Sequence, residues 1–326
     1  MHTNQKLLVD ELKRRGAKVR DADPEIELIE VIYEGRKEFL LDRFSSLSPY
    51  NLVKMTADKY LTKNLLRKNG ISAPEGEVFS AHSFKEAVEY AQKIGFPVVV
   101  KPNWGSHGDS VFVEIKNERE LVSAVNHLEE ETGVNTLFLV EKHLPGKEYR
   151  VFITIEGKYA VLNRDPAHVI GDGKHNISEL GEIESKKRDD RKKRYLCPIV
   201  FDRQVDNFLK ESGKDLRYIP KKDEKIYLRK TSNLAKGGVS EDVTDEVHSS
   251  VIDIAQKVLD VFQGLPFIGL DIMTENIDEP QTKSSYGIVE VNSNPGLSMH
   301  MMPGKGKSRN VASYLADVMF PGLIKK

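Results

Sequence analysis

A chain of 326 residues, 39% apolar and 30% charged, is too long for one small core and predicts two or three packed subdomains. Its 49 Lys and Arg against 50 Asp and Glu leave a formal charge of −1, which excludes a global attraction to nucleic acid or anionic membrane, so any anion site must be local. No apolar run nears the ~20 residues that span a bilayer, the stretch from Met1 to Lys6 lacks an apolar secretory core, and the single Cys197 excludes a disulfide framework or a Cys-rich metal site, so a soluble cytoplasmic protein is expected.

The first fifty residues predict a small α/β piece. Residues 7–15 fit a helix with Leu7, Leu8 and Leu12 on one side, stopped by Gly16. Residues 26–33 and 37–41 fit strands joined at Glu34-Gly35. A helix over 56–69 has Thr56 as N-cap and Gly70 as its stop. A second over 83–94 starts on a capping box of Ser83 and Glu86. Residues 96–102 form a buried strand carrying Lys101, with 111–115 as its partner and a helix over 118–128. Strands over 137–142, 149–155 and 158–163 follow. The charged segment 182–194 reads either as a solvated helix or mobile loop, or as a basic surface for an acidic substrate. A short helix over 205–211 and a strand over 225–229 precede a long helix over 247–262, whose apolar side carries Val251, Ile254, Val258 and Val261. The irregular alternation favours α+β subdomains over a doubly wound sheet.

Two late strands carry chemistry. Gly269-Leu270-Asp271-Ile272 and Ile288-Val289-Glu290-Val291-Asn292 each set an acid among apolar neighbours, where an unpaired carboxylate is costly. Glu290 and Asn292 are two apart and share a face. Together with Asp271 they suggest oxygen ligands for a hard cation such as Mg²⁺, or else acids at the rim of a hairpin.

Upstream, Lys101 precedes the small, glycine-bearing loop 103–110, whose N–H groups can approach phosphate oxygens. The order of residues is not that of a Walker A loop. The strand ending in Glu141-Lys142-His143-Leu144 can offer a carbonyl and an N–H to an adenine edge. Glu148 can accept from ribose hydroxyls. Arg229 shares a strand face with Tyr227 and can clamp a phosphoryl group, or pair with a surface acid.

The order Lys59, Lys101, glycine loop, Glu141-Lys142-x-Leu144, Glu148, Arg229, Asp271, Glu290-x-Asn292 resembles that of the ATP-grasp carboxylate–amine ligases. Within them it is most similar to the ATP-grasp portion of cyanophycin synthetase and to the C-terminal half of bifunctional glutathione synthetases. The most specific stretches are 165–175, 231–248, Asn294-Pro295-Gly296-Leu297-Ser298-Met299-His300, and Arg309-Asn310-Val311-Ala312.

The resemblance implies an α+β ATP-grasp fold, with two subdomains gripping ATP and a short N-terminal α/β segment. The expected divisions are 1–55, 56–145 (lid subdomain) and 146–326 (catalytic subdomain). It implies that Lys59 and Lys101 hold phosphates under a lid that includes His107 and Gly108. Glu141, Lys142 and Leu144 would frame adenine, and Glu148 would bind ribose. Asp271, Glu290 and Asn292 would hold two Mg²⁺ ions, or Mn²⁺ in their place. Arg229 would stabilise the transferring phosphoryl group. Asn233, Gly237, Gly238, His300 and Arg309 would line the meeting point of the substrates, and Arg150 and Arg164 would contact a substrate carboxylate.

The implied reaction joins the carboxylate of an amino acid or peptide to an amine through an acyl phosphate, releasing ADP and phosphate. The alternative is a catalytically inactive nucleotide-binding partner module. Small-molecule substrates and a homo-oligomer, dimer or tetramer, are expected, with no nucleic-acid or membrane partner. Asp109 and Ser110 depart from the family pattern, which has a basic residue and a glycine there. The second halves of the two resembled proteins are not in this sequence, so a stand-alone single-reaction ligase is expected.

Overall fold

The computed structural model describes residues 2–105, 110–133, 135–190 and 195–322. Helix α1 (Thr3–Arg14) is followed by strands β1 (Lys18–Asp23), β2 (Leu28–Tyr33) and β3 (Arg36–Leu41), an antiparallel sheet in that order. Strand β1 was not expected. Its sequence Lys-Val-Arg-Asp-Ala-Asp is mostly polar and mostly exposed, so it has no apolar alternation to detect.

The helix expected over 56–69 is two helices, α2 (Tyr50–Ala57) and α3 (Lys59–Lys68). The break is Asp58, whose carboxylate accepts from the Leu61 N–H at 2.9 Å and so caps α3. Thr56 is not a cap; its hydroxyl donates to the Val53 carbonyl and meets Ser293.

Strand β4 (Gly76–Phe79), helix α4 (Phe84–Ile94), strands β5 (Val98–Pro102) and β6 (Phe112–Ile115), helix α5 (Glu118–Thr132) and strand β7 (Phe138–Lys142) form one layer pair. The sheet runs β4-β7-β5-β6, all antiparallel. Its core joins Val98, Val100 and Val140 to Ala87, Leu121 and Leu128 of the helices. The capping box lies three residues earlier than expected, between Ser80 and Ser83 around a short 3-10 turn.

The rest is built on strands β8 (Lys147–Thr154) and β9 (Tyr159–Asp165). Then come β10 (His168–Ile170), α6 (Ile177–Asp190), α7 (Arg203–Glu211) and β11 (Lys225–Tyr227). Strand β12 (Val239–Asp242), helix α8 (Ser249–Val261), strands β13 (Phe267–Thr274) and β14 (Tyr286–Asn292) and helices α9 (Ser298–Met301) and α10 (Val311–Met319) complete the chain. The main sheet is antiparallel, ordered β12-β9-β8-β13-β14. The charged segment is helical through its described part. Arg188 is buried there and donates to the Cys197 and Gly237 carbonyls.

The period of two along β8 and β13 sorts their side chains. Val151, Ile153, Ile268, Leu270 and Ile272 enter a core with α8 and with Leu66 of α3. Phe152 and Phe267 face the other way, into a core shared with α1, β2, β3 and α10. Arg150 and Asp271 belong to that second face.

The N-terminal segment is bolted to α10 by a buried arginine. Arg15 donates to Glu11 at 2.7 Å, to Asp317 at 2.6 Å and to the Ser313 carbonyl at 2.8 Å. Arg15→Ala should lower stability by about 3–5 kcal/mol, because it strands partly desolvated carboxylates. A denaturant titration checks this; an unchanged midpoint would show that the clamp is idle.

Candidate active site

A cavity of 1840 Å³ lies between the four-stranded and the five-stranded sheet. Its floor is the β8-β13-β14 register. Asp271 stands opposite Glu290 on one side and Arg150 on the other. A bulge next to Asp271 leaves Val289 unmatched. Glu290 and Asn292, two apart on β14, both line the cavity.

Two acids directly opposite one another repel. The sheet answers with arginines. Arg150 grips both oxygens of Asp271, with its Nη2 at 3.0 Å, and Arg164 reaches the same carboxylate at 3.3 Å. Burial raises the pKa of Asp271, but these two guanidiniums outweigh it and hold the group below the usual carboxylate range. The Glu290 carboxylate has no ion pair or hydrogen bond among the described residues. Arg150 and Arg164 line the cavity and are engaged with Asp271 there.

The lysines gather on the opposite wall. Lys59 opens α3 and donates to the Gly105 carbonyl at 2.7 Å. Its pKa is lowered, chiefly by burial. Lys101, from β5, meets Glu141 at 2.6 Å. Burial works against the Lys101 ammonium, but the Glu141 carboxylate prevails and raises it. Glu141 is thus a buried partner of lysine, with its other oxygen on Lys63 at 2.5 Å. It lines the cavity through that cluster and not as a free acceptor.

Lys142, Leu144 and Glu148 also line the cavity. The Lys142 side chain is tied to the Gly95 carbonyl at 2.7 Å, and the Lys142 backbone N–H donates to the Glu75 backbone carbonyl at 2.8 Å. Leu144 packs against Gly287, where a Cβ would sit 2.2 Å from its Cδ1. Glu148 accepts from Arg164 at 2.7 Å and from the Ser232 hydroxyl.

Arg229 is 3% exposed and lines the cavity, though β11 stops at Tyr227, before it. It donates to the Val200 carbonyl at 2.7 Å and lies 3.4 Å from Asp202, while its Nε is buried without a partner among the described residues. Asn233 also faces the cavity and caps a 3-10 turn through the Ala235 N–H.

Four expected residues are placed elsewhere. Gly237 and Gly238 are packing positions. A Cβ on Gly237 would lie 2.8 Å from Ile199 Cα, and one on Gly238 would lie 2.9 Å from the Asn233 carbonyl. His300 is fully buried against the edge of the Phe152 ring, with ring centroids 5.9 Å apart. Burial first, and then Arg150, push its pKa down to about 3, so it is neutral. Arg309 pairs with Asp242 at 2.7 Å and Asp245 at 2.8 Å. None of the four is among the described residues that line the cavity. His107, Gly108 and Asp109 lie outside the described residues.

The sequence reading missed Lys63 and the contribution of the N-terminal segment. Lys63 is one helical turn after Lys59, a spacing that marks it as a neighbour on the same face. Asn4, Asp42 and Arg43 line the cavity as well. Arg43 donates to the Asn294 carbonyl at 3.0 Å, and the Asn294 amide donates to Asp42 at 2.9 Å. No motif marked them.

Among the described residues no group of three or more His, Cys, Asp or Glu is placed to hold a metal ion. A cation here would instead meet two carboxylates and an amide. Glu290 and Asn292 fit a hard cation: both line the cavity, and no side-chain hydrogen bond ties either down among the described residues. Asp271 is the least open of the three, because three guanidinium contacts use most of its acceptor sites.

Comparison with known proteins adds four findings. The family described as phosphoribosylglycinamide synthetase, ATP-grasp (A) domain, matches residues 57–175. The chain is 38% identical over 273 residues to a cyanophycin synthetase of Trichormus variabilis, a match covering 82% of this chain and 30% of that protein. It is 30% identical over 329 residues to the glutathione biosynthesis bifunctional protein of Desulfotalea psychrophila, covering 98% and 41%. The crystal structure of a bifunctional glutathione synthetase from Pasteurella multocida superposes with a TM-score of 0.70 at 27% identity, covering 98% of this chain and 44% of that one. The chain therefore spans less than half the length of each of these three proteins.

Proposed function

This chain has the ATP-grasp fold and is similar to the cyanophycin synthetases and bifunctional glutathione synthetases, and from that premise we propose that it is an ATP-dependent carboxylate–amine ligase. The observation that carries the reading is convergence. Lys59, Lys101 and Arg229, from three distant parts of the chain, line one cavity with Asp271, Glu290 and Asn292. A pocket with cations on its walls and acids on its floor suits a triphosphate held with divalent cations.

In this reading the carboxylate of an amino acid or peptide attacks the terminal phosphorus of ATP. An acyl phosphate forms and ADP leaves. An amine then attacks the acyl carbon and expels phosphate, leaving an amide. Lys59 and Lys101 hold the phosphate chain. Arg229 sits where negative charge grows on the transferring group. Leu144 and the backbone around Lys142 bound the base, and Glu148 faces the sugar. Mg²⁺, when bound at Asp271, Glu290 and Asn292, supplies charge neutralisation at the phosphate oxygens. The four-stranded sheet serves as the lid subdomain, within 56–145, and the five-stranded sheet carries the catalytic subdomain, within 146–326. A homo-oligomer follows from the resemblance alone.

A second reading is a nucleotide-binding module without catalysis. The hold of Arg150 and Arg164 on Asp271 favours it, since cations already stand where a metal would be needed. Incubation with ATP, magnesium chloride and pooled amino acids and small peptides separates the two. Ligation releases phosphate and yields, by mass spectrometry, products one water lighter than the sum of two pool members. No ATP turnover with any pool would select the binding module.

A further inference from the structure

Lys63 takes no part in the reading above, yet it is among the most deeply buried charged groups of the chain, 1% exposed. Its ammonium lies 2.5 Å from one oxygen of Glu141, while Lys101 takes the other oxygen at 2.6 Å. Glu141 and Lys101 line the cavity and Lys63 does not. The order from protein interior to cavity is thus Lys63, Glu141, Lys101.

A buried Lys101–Glu141 pair is neutral overall and would offer little to an anion. The second lysine changes the sum of the cluster to +1, and that charge is expressed toward the cavity, which Lys101 lines. Resting on the ATP reading, we propose that Lys63 is a positioning residue for the nucleotide: from behind, it offsets Glu141 so that Lys101 presents a full positive charge to the phosphate chain.

The groups facing the cluster are few. Lys59 stands one turn earlier on α3, Lys101 comes from β5 and Glu141 from β7, and Glu290 on β14 acts on Lys59 and Lys101. Burial brings Lys63 down to about 7, against the pull of Glu141. Its charge is therefore present below that pH and is lost above it, and an anion bound at Lys101 favours its return.

The test is calorimetric binding of ADP and of adenosine, each with magnesium chloride, from pH 6 to 9. A unit charge about 10 Å away, at an effective dielectric constant of about 20, is worth roughly tenfold in affinity. K63M should weaken ADP roughly tenfold at pH 6 and leave adenosine unchanged. K63R, charged throughout, should hold ADP at pH 9 better than the parent does. The titration of ADP itself is common to both chains and cancels in their ratio. K63R at pH 6 should bind ADP about as the parent does, which keeps the test open if K63M misfolds. Equal losses for ADP and adenosine in K63M, or a loss of ADP affinity in K63R at pH 6 as large as in K63M, would overturn the role of Lys63. If the parent binds neither ADP nor adenosine, the ATP reading itself fails and this role falls with it.

Discussion

Glu290→Gln should abolish ligation while leaving the protein folded. Glu290 stands opposite Asp271 in the β13-β14 register and faces the cavity, and no described residue pairs with it. Neutralising it removes the repulsion from Asp271 across the strands and also the attraction to Lys59, Lys101 and Arg150, and it breaks no side-chain hydrogen bond or ion pair among the described residues, so the melting temperature should change little. Turnover should fall by about 10²–10³-fold or more, the scale seen when one group that stabilises transition-state charge is removed. Magnesium-dependent tightening of nucleotide binding should vanish with it. Phosphate release, a thermal melt and ADP titration with and without magnesium read the three effects separately. Normal turnover in the variant would contradict the assignment of the floor acids.

Arg229→Ala should lower kcat by about 10²–10³-fold while the KM for ATP changes little. The guanidinium is already desolvated and held by the Val200 carbonyl and Asp202, so it needs little reorganisation when charge develops beside it. Its Nε is buried and without a partner among the described residues. Loss of the Val200 contact should also cost about 1–3 kcal/mol of stability. The kinetic comparison is therefore made well below the melting point of the variant. Arg229→Lys keeps the charge but loses the planar fork, and should recover only part of the rate. Equal losses in kcat and in ATP affinity would make Arg229 a simple binding residue.

The arginines on the floor were the largest surprise. Arg150 and Arg164 were expected to contact a substrate carboxylate, and they instead hold Asp271. Strand pairing is the reason. Asp271 is opposite Arg150 across β8 and β13, a relation between residues 121 positions apart that no local pattern displays. His300 and Arg309 lie away from the cavity lining for a related reason. Each lies in a stretch with strong family resemblance, but the tertiary packing turns one against Phe152 and the other onto Asp242. Similarity of sequence marked the neighbourhood and not the direction of the side chain.

Local structure was legible where it rested on apolar periodicity or a strong stop. Helix α8, with Val251, Ile254 and Val258 buried, and the strand pairs around Lys101, Asp271 and Glu290 were visible in this way. Strand β1 has no such pattern, and the Asp58 break was hidden because Thr56 and Asp58 are both good caps. The α+β class followed from the irregular order of strands and helices, whereas the antiparallel pairing of the two large sheets is seen only in the fold.

By itself the order of residues determined which chemistry-bearing groups the chain owns: lysines near 59 and 101, an arginine at 229, and two acids with an asparagine on late strands. Only the folded chain decided who neutralises whom. Coulomb forces and desolvation act through space, so whether a buried charge is free or cancelled depends on what packs within a few ångströms. That is why Glu141 became the partner of two lysines and Asp271 the partner of two arginines, while Glu290 was left facing the cavity.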